Sequence, residues 1–357
     1  MPDWHNVPMR KTLIKNISLP EADEWFASAG EKPYRGRQLF NWMYERNTAS
    51  FHDMTNFSKE LRQRLDDEFL LTPLVLEERI ISKVDGSEKY LFRTMDECYI
   101  ESVLIKSNTG GDNERLTLCV SSQIGCRMGC AFCSTARMGF VRNLETAEIL
   151  EQLAQVRRIT GLKNNNIVFM GMGEPLLNYD NVIKAADIMN YSFGFHISVR
   201  KITISTCGIG KGIERFIDEG RQYNLAISLN DTEPEKRRVN MPVEKKYPFA
   251  DIAAMLERKM PSSRNRLTVE YVMRRDNISR DDAARLKKLF RRSRIKLNLI
   301  PLNSNGNGES PNTDEIESFL NELAIMNVPV SVRASAGSDI CGACGQLAGK
   351  RSEAVVI

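Results

Sequence analysis

The sequence is poor in histidine, carries little net charge and lacks long hydrophobic runs. None of its apolar stretches reaches the roughly 18 residues of a membrane span, so no transmembrane helix is predicted. The amino terminus, Met-Pro-Asp-Trp-His, shows no charged head followed by an apolar stretch, so no secretory signal is expected. With 50 Lys and Arg against 46 Asp and Glu, the net charge of +4 is too small to identify a partner.

Cysteine is the chemically informative residue type. The chain has eight cysteines but only three histidines, His5, His52 and His196. Eight cysteines without a secretory signal indicate a reducing compartment, and therefore metal or redox chemistry instead of a disulfide scaffold. We therefore expect a cytoplasmic protein with no membrane association.

Three of the cysteines are closely spaced in Cys126-Arg-Met-Gly-Cys130-Ala-Phe-Cys133. Thiolates are soft ligands that select iron–sulfur clusters, zinc or Cu(I). A structural zinc site needs a fourth Cys or His, and no histidine lies near this run. A [4Fe–4S] cluster held by three cysteines keeps one iron open, where S-adenosylmethionine can chelate through its amino and carboxylate groups. The spacing favours the cluster, with a zinc knuckle as the alternative.

Basic residues are concentrated locally. Residues 285–296 form one basic segment, and further pairs occur at Arg200-Lys201, Arg237-Arg238 and Lys245-Lys246. A solvated helix face explains any one of them, whereas together they are consistent with a surface that binds RNA phosphates. Composition alone leaves both interpretations open.

The chain divides into three parts by its hydrophobic pattern. Residues 1–75 have helical periodicity and predict a small helical accessory domain that binds RNA. Residues 76–114 are β-rich, with Asp85-Gly86 as a hairpin turn, and predict a connector. Residues 115–357 alternate strands and helices, which predicts an α/β parallel sheet.

The alternating part predicts seven strands and six helices. The strands are expected at 115–121, 167–171, 201–206, 225–229, 267–273, 296–302 and 328–333. The helices are expected at 144–159, 178–191, 211–219, 248–260, 279–291 and 313–326. Such a sheet is either doubly wound or rolled into a full or partial (β/α) barrel.

Polar and glycine-rich segments follow several of these strands in the same phase. They are Gly171-Met-Gly-Glu-Pro175, Ser205-Thr-Cys-Gly208, Ser228-Leu-Asn230 and the loop that begins at Asn303. The three-cysteine loop follows the first strand. Because (β/α) barrels build their active sites at the carboxyl ends of strands, the shared phase favours a barrel with one pocket.

The remaining cysteines differ in their expected roles. Cys98 and Cys207 are expected to be structural, because unpaired cysteines are commonly buried and inert. Cys344 lies between small residues after the last strand, where a mobile segment can carry its thiol over the barrel mouth. Cys119 lies on the first strand, seven residues before the cluster loop.

Several longer motifs resemble the RlmN/Cfr family of radical S-adenosylmethionine RNA adenosine methyltransferases. The resemblance covers nearly the whole chain. Its motifs are Tyr34-Arg-Gly-Arg-Gln-Leu-Phe-Asn-Trp, Met54-Thr-Asn-Phe-Ser-Lys, the run from Cys119 to Leu144, Met170-Gly-Met-Gly-Glu-Pro-Leu-Leu-Asn178, Ala226-Ile-Ser-Leu229, Asn298-Leu-Ile-Pro301 and Ala343-Cys-Gly-Gln-Leu-Ala-Gly349.

The resemblance implies a chemistry that suits the substrate. The C2 and C8 carbons of adenine are electron-poor, so a sulfonium methyl cannot reach them by simple nucleophilic attack, whereas a cysteine can carry the methyl first. By resemblance Cys344 is this carrier, Cys119 resolves the RNA adduct by forming a disulfide with Cys344, and Glu101 is the base. Two S-adenosylmethionine molecules are used per turnover, and Cys126, Cys130 and Cys133 hold the [4Fe–4S] cluster.

The resemblance also implies the contacts to S-adenosylmethionine. They are Gly173 and Glu174 for the amino group, then Ser205, Ser228, Asn230 and Asn303. Asn230 departs from the family, which has His there, and Asn lacks the reach and titration of an imidazole. Cys341 is a second departure, and its thiol can compete with Cys344 in disulfide exchange.

The expected activity is methylation of C2 of adenosine 2503 in 23S rRNA and of adenosine 37 in tRNA. The alternatives are methylation of C8 of the same rRNA base, as in Cfr, and a non-enzymatic RNA-binding metalloprotein. The resemblance further implies an electron donor such as flavodoxin or ferredoxin, and we expect a monomer.

Overall fold

The computed structural model describes residues 11–107, 115–163, 166–259, 267–290, 295–303, 309–324, 330–333 and 335–349. The ends of several predicted elements (260, 291, 325–326 and 328–329) lie outside the described residues. So do 291–294 of the basic segment and most of the loop after Asn303.

The amino-terminal part is helical, as its periodicity predicts. Helix α1 (Leu19–Ser28) begins with a capping box, in which Ser18 and Glu21 bond each other's backbone N–H groups. Helix α2 (Arg35–Phe40) continues as a π-helical turn to Glu45, and α3 (Lys59–Glu68) is capped by Ser58. A short parallel pair, β1 (Thr12–Leu13) and β2 (Phe69–Leu70), joins the two ends of this part.

The rest of the chain is built on one ten-stranded sheet. Its three antiparallel strands are β3 (Leu74–Ile81), β4 (Glu88–Thr94) and β5 (Tyr99–Ser107). A separate ribbon is formed by β7 (Gln123–Gly125) and β8 (Phe140–Asn143). The seven parallel strands are β6 (Arg115–Cys119), β9 (Asn166–Phe169), β10 (Ile202–Thr206), β11 (Asn224–Ser228), β12 (Leu267–Met273), β13 (Lys296–Pro301) and β14 (Val330–Val332).

Helices connect the successive parallel strands. They are α4 (Ser134–Arg137), α5 (Thr146–Thr160), α6 (Tyr179–Asn190), α7 (Gly210–Asp218), α8 (Pro234–Asn240), α9 (Phe249–Lys259), α10 (Arg280–Leu289) and α11 (Thr313–Leu323). Each predicted strand and helix corresponds to one of these elements, with ends that differ by a few residues.

The sheet curls around a lumen. Its order, β14-β13-β12-β11-β10-β9-β6-β5-β4-β3, follows the chain, so the parallel part winds in one direction only. One lumen is lined by a residue from each of the seven parallel strands: Thr117, Val168, Thr203, Asn224, Thr268, Lys296 and Ser331. In the described residues β14 and β6 do not pair with each other. The predicted α/β class with a partial barrel is confirmed.

The β-rich segment extends the barrel sheet. The turn around Asp85 and Gly86 joins β3 to β4, as predicted, and β5 pairs antiparallel with β6. Residues 74–107 therefore share hydrogen bonds with the barrel, and the domain boundaries at 75 and 114 stay a prediction.

The amino-terminal part is attached to the barrel through α5. Lys15, which is fully buried, forms an ion pair with the equally buried Glu151, and Arg158 bonds the other oxygen of that carboxylate. Nearby, Asn16 accepts a hydrogen bond from the backbone N–H of Ala147 (2.8 Å). Burial lowers the pKa of Lys15, because removing an ammonium group from water costs free energy that Glu151 only partly offsets.

We expect Lys15→Met to lower the free energy of unfolding by about 3 kcal/mol, because it leaves the buried Glu151 carboxylate with one cation fewer. Lys11→Met is the control, since Lys11 is exposed and lies 3.8 Å from an exposed Asp66. Its effect should stay below about 1 kcal/mol. Urea unfolding of both variants measures this, and equal losses would contradict the assigned role of the buried pair.

Candidate active site

One cavity at the carboxyl ends of the parallel strands collects most of the predicted site residues. It is also lined by Glu270 and Met241, which sequence reasoning did not single out. The predicted residues among its lining are Cys126, Cys130, Cys133, Gly173, Glu174, Ser205, Ser228, Asn230, Asn303 and Cys344. We call this space the mouth cavity.

Close backbone packing shapes the three-cysteine loop. Gly125 precedes it with φ +69°, and a Cβ there would lie 1.8 Å from the carbonyl oxygen of Gly139. Only glycine permits this approach. The N–H of Cys126 then donates to the same carbonyl (2.8 Å), and the N–H of Ala131 donates to the carbonyl of Asn240 (2.9 Å). The loop is thus held between the β7–β8 ribbon and the end of α8.

The three thiols fit a cluster of several irons. Burial raises the pKa of Cys126 to about 12 and also raises the pKa of Cys130. In the described part of the chain, no three His, Cys, Asp or Glu side chains converge on a single metal ion. The three cysteines instead line a shared cavity, and three thiolates lining one cavity would suit a cluster of several irons. A metal deprotonates its thiol ligands outright, which offsets the effect of burial.

The loop after β9 packs against the strand that leads to the cysteines. Gly173 has φ +101°, and a Cβ there would lie 2.5 Å from Cβ of Gln123. The Glu174 carboxylate accepts hydrogen bonds from the N–H groups of Cys207 (2.8 Å) and Leu176 (3.0 Å). Burial raises its pKa. The carboxylate is therefore fixed at the cavity wall with both oxygens in use.

The structure gives a physical reason for asparagine at position 230. Asn230 has φ +60°, a left-handed conformation that Asn tolerates better than most residues. Its side-chain oxygen accepts from the N–H of Val272 (2.9 Å), and its amide donates to the sulfur of Met241 (3.4 Å). The side chain lines the mouth cavity, but both of its polar ends are bonded to the protein.

The segment from Ala343 to Gly349, called here the carrier segment, is held by hydrogen bonds along its length. The Asn303 amide donates to the carbonyl of Cys344 (3.0 Å). The N–H of Ser134 donates to the carbonyl of Gly345 (2.7 Å), and the Thr135 hydroxyl donates to that of Leu347 (2.7 Å). Residues next to the cluster loop thus hold the backbone that carries Cys344.

Glu101 lies outside the mouth cavity and anchors the far end of the carrier segment. Its carboxylate accepts hydrogen bonds from the N–H groups of Ala348 (2.7 Å) and Gly349 (2.9 Å). The other oxygen pairs with the buried Lys89 (3.3 Å). The role of Glu101 as a base stays a prediction. In the structure its carboxylate fixes the backbone at the end of the carrier segment.

Cys119 and Cys344 share the barrel lumen. Cys119 is buried, and burial together with the nearby Cys344 raises its pKa to about 12. Cys344 is an exposed residue that lines both the lumen and the mouth cavity. Cys341 is exposed and lines neither space, whereas Cys207 borders the mouth cavity. All eight cysteines lie in the described residues, and none of them forms a disulfide there.

One basic residue of the predicted RNA footprint is buried instead. Arg237 has 1% of its side chain exposed and forms an ion pair with the buried Glu244. Its guanidinium also donates to the carbonyls of Leu229 (2.9 Å), Cys207 (2.8 Å) and Ser228 (3.1 Å), which end β10 and β11. The prediction was wrong for Arg237, because nothing in the local sequence distinguishes it from the exposed Arg238.

The chain is similar to known proteins along its whole length. Residues 14–71 match the family "Ribosomal RNA large subunit methyltransferase N-terminal domain", and residues 120–288 match the "Radical SAM superfamily". A "Dual-specificity RNA methyltransferase RlmN" from Geotalea uraniireducens is 42% identical over 97% of this chain and 99% of the relative. The protein of that name from Geobacter sulfurreducens is 43% identical over 94% and 92%.

A solved structure shares the fold. The crystal structure of a radical SAM methyltransferase from Sphaerobacter thermophilus matches with a TM-score of 0.88 and 35% identity. The match covers 95% of this chain and 100% of that one.

We expect Arg237→Gln to lower the free energy of unfolding by about 3–5 kcal/mol, because Glu244 would be left as an unpaired buried charge. Arg238→Gln is the matched control. Arg238 is 43% exposed and pairs with an exposed Glu235, so its replacement should change stability by less than about 1 kcal/mol. Denaturant titration of the two variants measures the difference, and a stable Arg237→Gln protein would contradict the structural role of this guanidinium.

Proposed function

Since the chain belongs to the RlmN family of radical S-adenosylmethionine RNA methyltransferases, as its motifs predict, we propose that it methylates C2 of adenosine 2503 in 23S rRNA and of adenosine 37 in tRNA. The observation that carries this proposal is the placement of Cys344. Cys344 lines both the cavity of the three-cysteine loop and the lumen that Cys119 also lines.

The residues that hold the cofactors follow from the mouth cavity. Cys126, Cys130 and Cys133 would bind a [4Fe–4S] cluster, and S-adenosylmethionine would lie along Gly173, Glu174, Ser205, Ser228, Asn230 and Asn303. When bound, these groups supply a methyl donor and one-electron chemistry that abstracts hydrogen, with two S-adenosylmethionine molecules used per turnover. The fixed Glu174 carboxylate and the carbonyls held by Arg237 keep this wall of the cavity in place.

Cys344 acts as the methyl carrier. Adenine C2 is electron-poor, so a covalent carrier that delivers the methyl carbon divides one difficult step into two easier ones. The hydrogen bonds from Asn303 and Ser134 to the carrier segment hold this thiol at the junction of cavity and lumen. A flipped adenosine then enters the mouth cavity, because a base within a helix exposes too little of C2 for reaction.

Cys119 resolves the covalent protein–RNA adduct. Its thiolate attacks the sulfur of Cys344, the new S–S bond forms, and the bond between that sulfur and the transferred carbon breaks. The electron pair of the broken bond stays with that carbon, which takes up a proton and becomes the methyl group. Both thiols face the same lumen, which supports this pairing. In the same step a base removes the proton from C2, and Glu101 takes this role after it releases the N–H groups of Ala348 and Gly349.

Partners follow from the same assignment. RNA phosphates would meet the exposed Lys245 and Lys246. These follow Pro242, whose ring would lie 3.5 Å from a Cβ placed on Gly129 of the cysteine loop. An electron donor such as flavodoxin or ferredoxin would reduce the cluster, and the enzyme acts as a monomer in the cytoplasm. Among the described residues, no helix is both long enough and apolar enough to cross a membrane.

We expect Cys344→Ala to abolish RNA methylation and Cys119→Ala to accumulate a covalent protein–RNA adduct, because only the second variant can start the reaction. Cys341→Ala is the matched control, since Cys341 lines neither cavity and should leave methylation intact. Nucleoside mass spectrometry of rRNA and tRNA with each variant, and gel analysis of adducts, measure this.

Two results would contradict the proposal. Methylation by Cys344→Ala would move the carrier role to another thiol. Formation of 8-methyladenosine without 2-methyladenosine would replace the C2 assignment by the Cfr-type activity.

A further inference from the structure

Glu270 is a buried carboxyl group that none of the roles above uses. It lies in β12, whose sequence is Leu-Thr-Val-Glu-Tyr-Val-Met, and it is the single charged residue of that strand. Only 7% of the residue is exposed, and its Oε1 atom has no hydrogen-bond partner among the residues that the structure describes. Buried polar atoms are nearly always bonded, so an unpaired carboxylate oxygen calls for a functional explanation.

Glu270 lies where the mouth cavity meets the lumen. Among the described residues, four line both spaces, and they include Cys344 and Glu270 itself. Its partners in register on the neighbouring strands, Ser228 and Asn298, are neutral. In the described part of the chain, the charged or titratable groups that act on it are Arg333 after β14, Cys119 on β6 and Cys344 on the carrier segment.

The other two carboxylates near the reacting thiols are already engaged. Glu174 accepts backbone hydrogen bonds on both oxygens, and Glu101 is bonded to Lys89 and the end of the carrier segment. Glu270 alone of these three has an oxygen without a partner. Burial raises the pKa of Glu270, so its carboxylate accepts a proton more readily than an exposed one does.

The carrier thiol needs a proton acceptor. A thiol attacks carbon as its thiolate. Desolvation by the surrounding protein raises the pKa of Cys344, although the residue as a whole is exposed. Arg333 is the cation that opposes this effect. Its guanidinium lies in the lumen, 3.7 Å from the sulfur of Met170, and favours negative charge on Cys344. Cys133 acts in the opposite direction from the cluster loop.

We propose that Glu270 accepts the thiol proton of Cys344 when that thiol takes up a methyl group, and that Arg333 stabilises the thiolate. This inference rests on the proposed carrier role of Cys344. The S–H proton moves to the Glu270 carboxylate, and the thiolate attacks the methyl carbon of S-adenosylmethionine. A new S–CH₃ bond forms, the sulfonium S–CH₃ bond breaks, and S-adenosylhomocysteine leaves with the electron pair of that bond.

The proton then leaves through the lumen. Polar side chains line this space beyond Glu270, among them Thr203, Asn224 and Thr268. They offer hydrogen-bonding partners for water between Glu270 and the amino ends of the strands. Glu270 thereby loses the proton and is a carboxylate again before the next methyl transfer.

The test is the pH profile of Cys344 alkylation by iodoacetamide in the cluster-loaded protein, resolved by peptide mass spectrometry. An internal acceptor makes the rate nearly independent of pH between the pKa of the acid and that of the thiol. We expect this plateau in the native protein between the raised pKa of Glu270 and the raised pKa of Cys344, and in Glu270→Gln a rise of about tenfold per pH unit. Arg333→Gln should slow alkylation across the range.

Two further variants complete the test. Glu270→Asp should restore the plateau at a lower rate, because it keeps a carboxylate. Glu257→Gln, an exposed position on α9, should match the native profile. Glu270→Gln should unfold at the same temperature as the native protein or higher, since it removes an unpaired buried charge, so misfolding is recognisable.

A native profile that itself rises tenfold per unit, or a plateau that persists in Glu270→Gln, would overturn the assignment of Glu270. Neither result depends on RNA methylation. Loss of the carrier role would appear instead as RNA methylation by Cys344→Ala, so the two failures are distinguishable.

Discussion

The hydrogen bonds that hold the carrier segment across the barrel mouth are the constraint on which the site depends. They come from Ser134 and Thr135 beside the cluster loop, from Asn303 after β13, and from Glu101 on β5. Because these donors and acceptors belong to different parts of the fold, Cys344 reaches its position only when the whole barrel is assembled. A methyl group carried by a thiol must be placed accurately, and loops alone do not give such accuracy.

Burial is the second physical theme of the site. It raises the pKa of Cys119 and Cys126, so each of these two thiols is unreactive until something compensates. For Cys126 the compensating charge would be iron. For the thiols in the lumen it is Arg333, with Glu270 as the proposed acceptor of the proton. Thiols that are unreactive at rest suit the proposed chemistry, in which the cysteines react in a set order.

The sequence predicted the strands, the helices and most of the site residues that line the mouth cavity, because all of these depend on local patterns. Alternating strands and helices give a regular hydrophobic period, and the loops at strand ends share a phase that a barrel converts into proximity. Long-range contacts were not accessible in this way. The buried Arg237 stands next to the exposed Arg238 in a basic run, and the engagement of Glu101 depends on a segment almost 250 residues away. Glu270 did leave a signal, a single charge in an otherwise uncharged strand.

The central claim is that Cys344 is the covalent methyl carrier, and the methylation state of that one side chain tests it most directly. Protein loaded with cluster and S-adenosylmethionine in the absence of RNA should be digested and its cysteine peptides analysed by mass spectrometry. The account predicts one added methyl group on the peptide that contains Cys344, located on that sulfur by fragmentation. A methyl group on Cys341, on Cys119 or on no cysteine would contradict it.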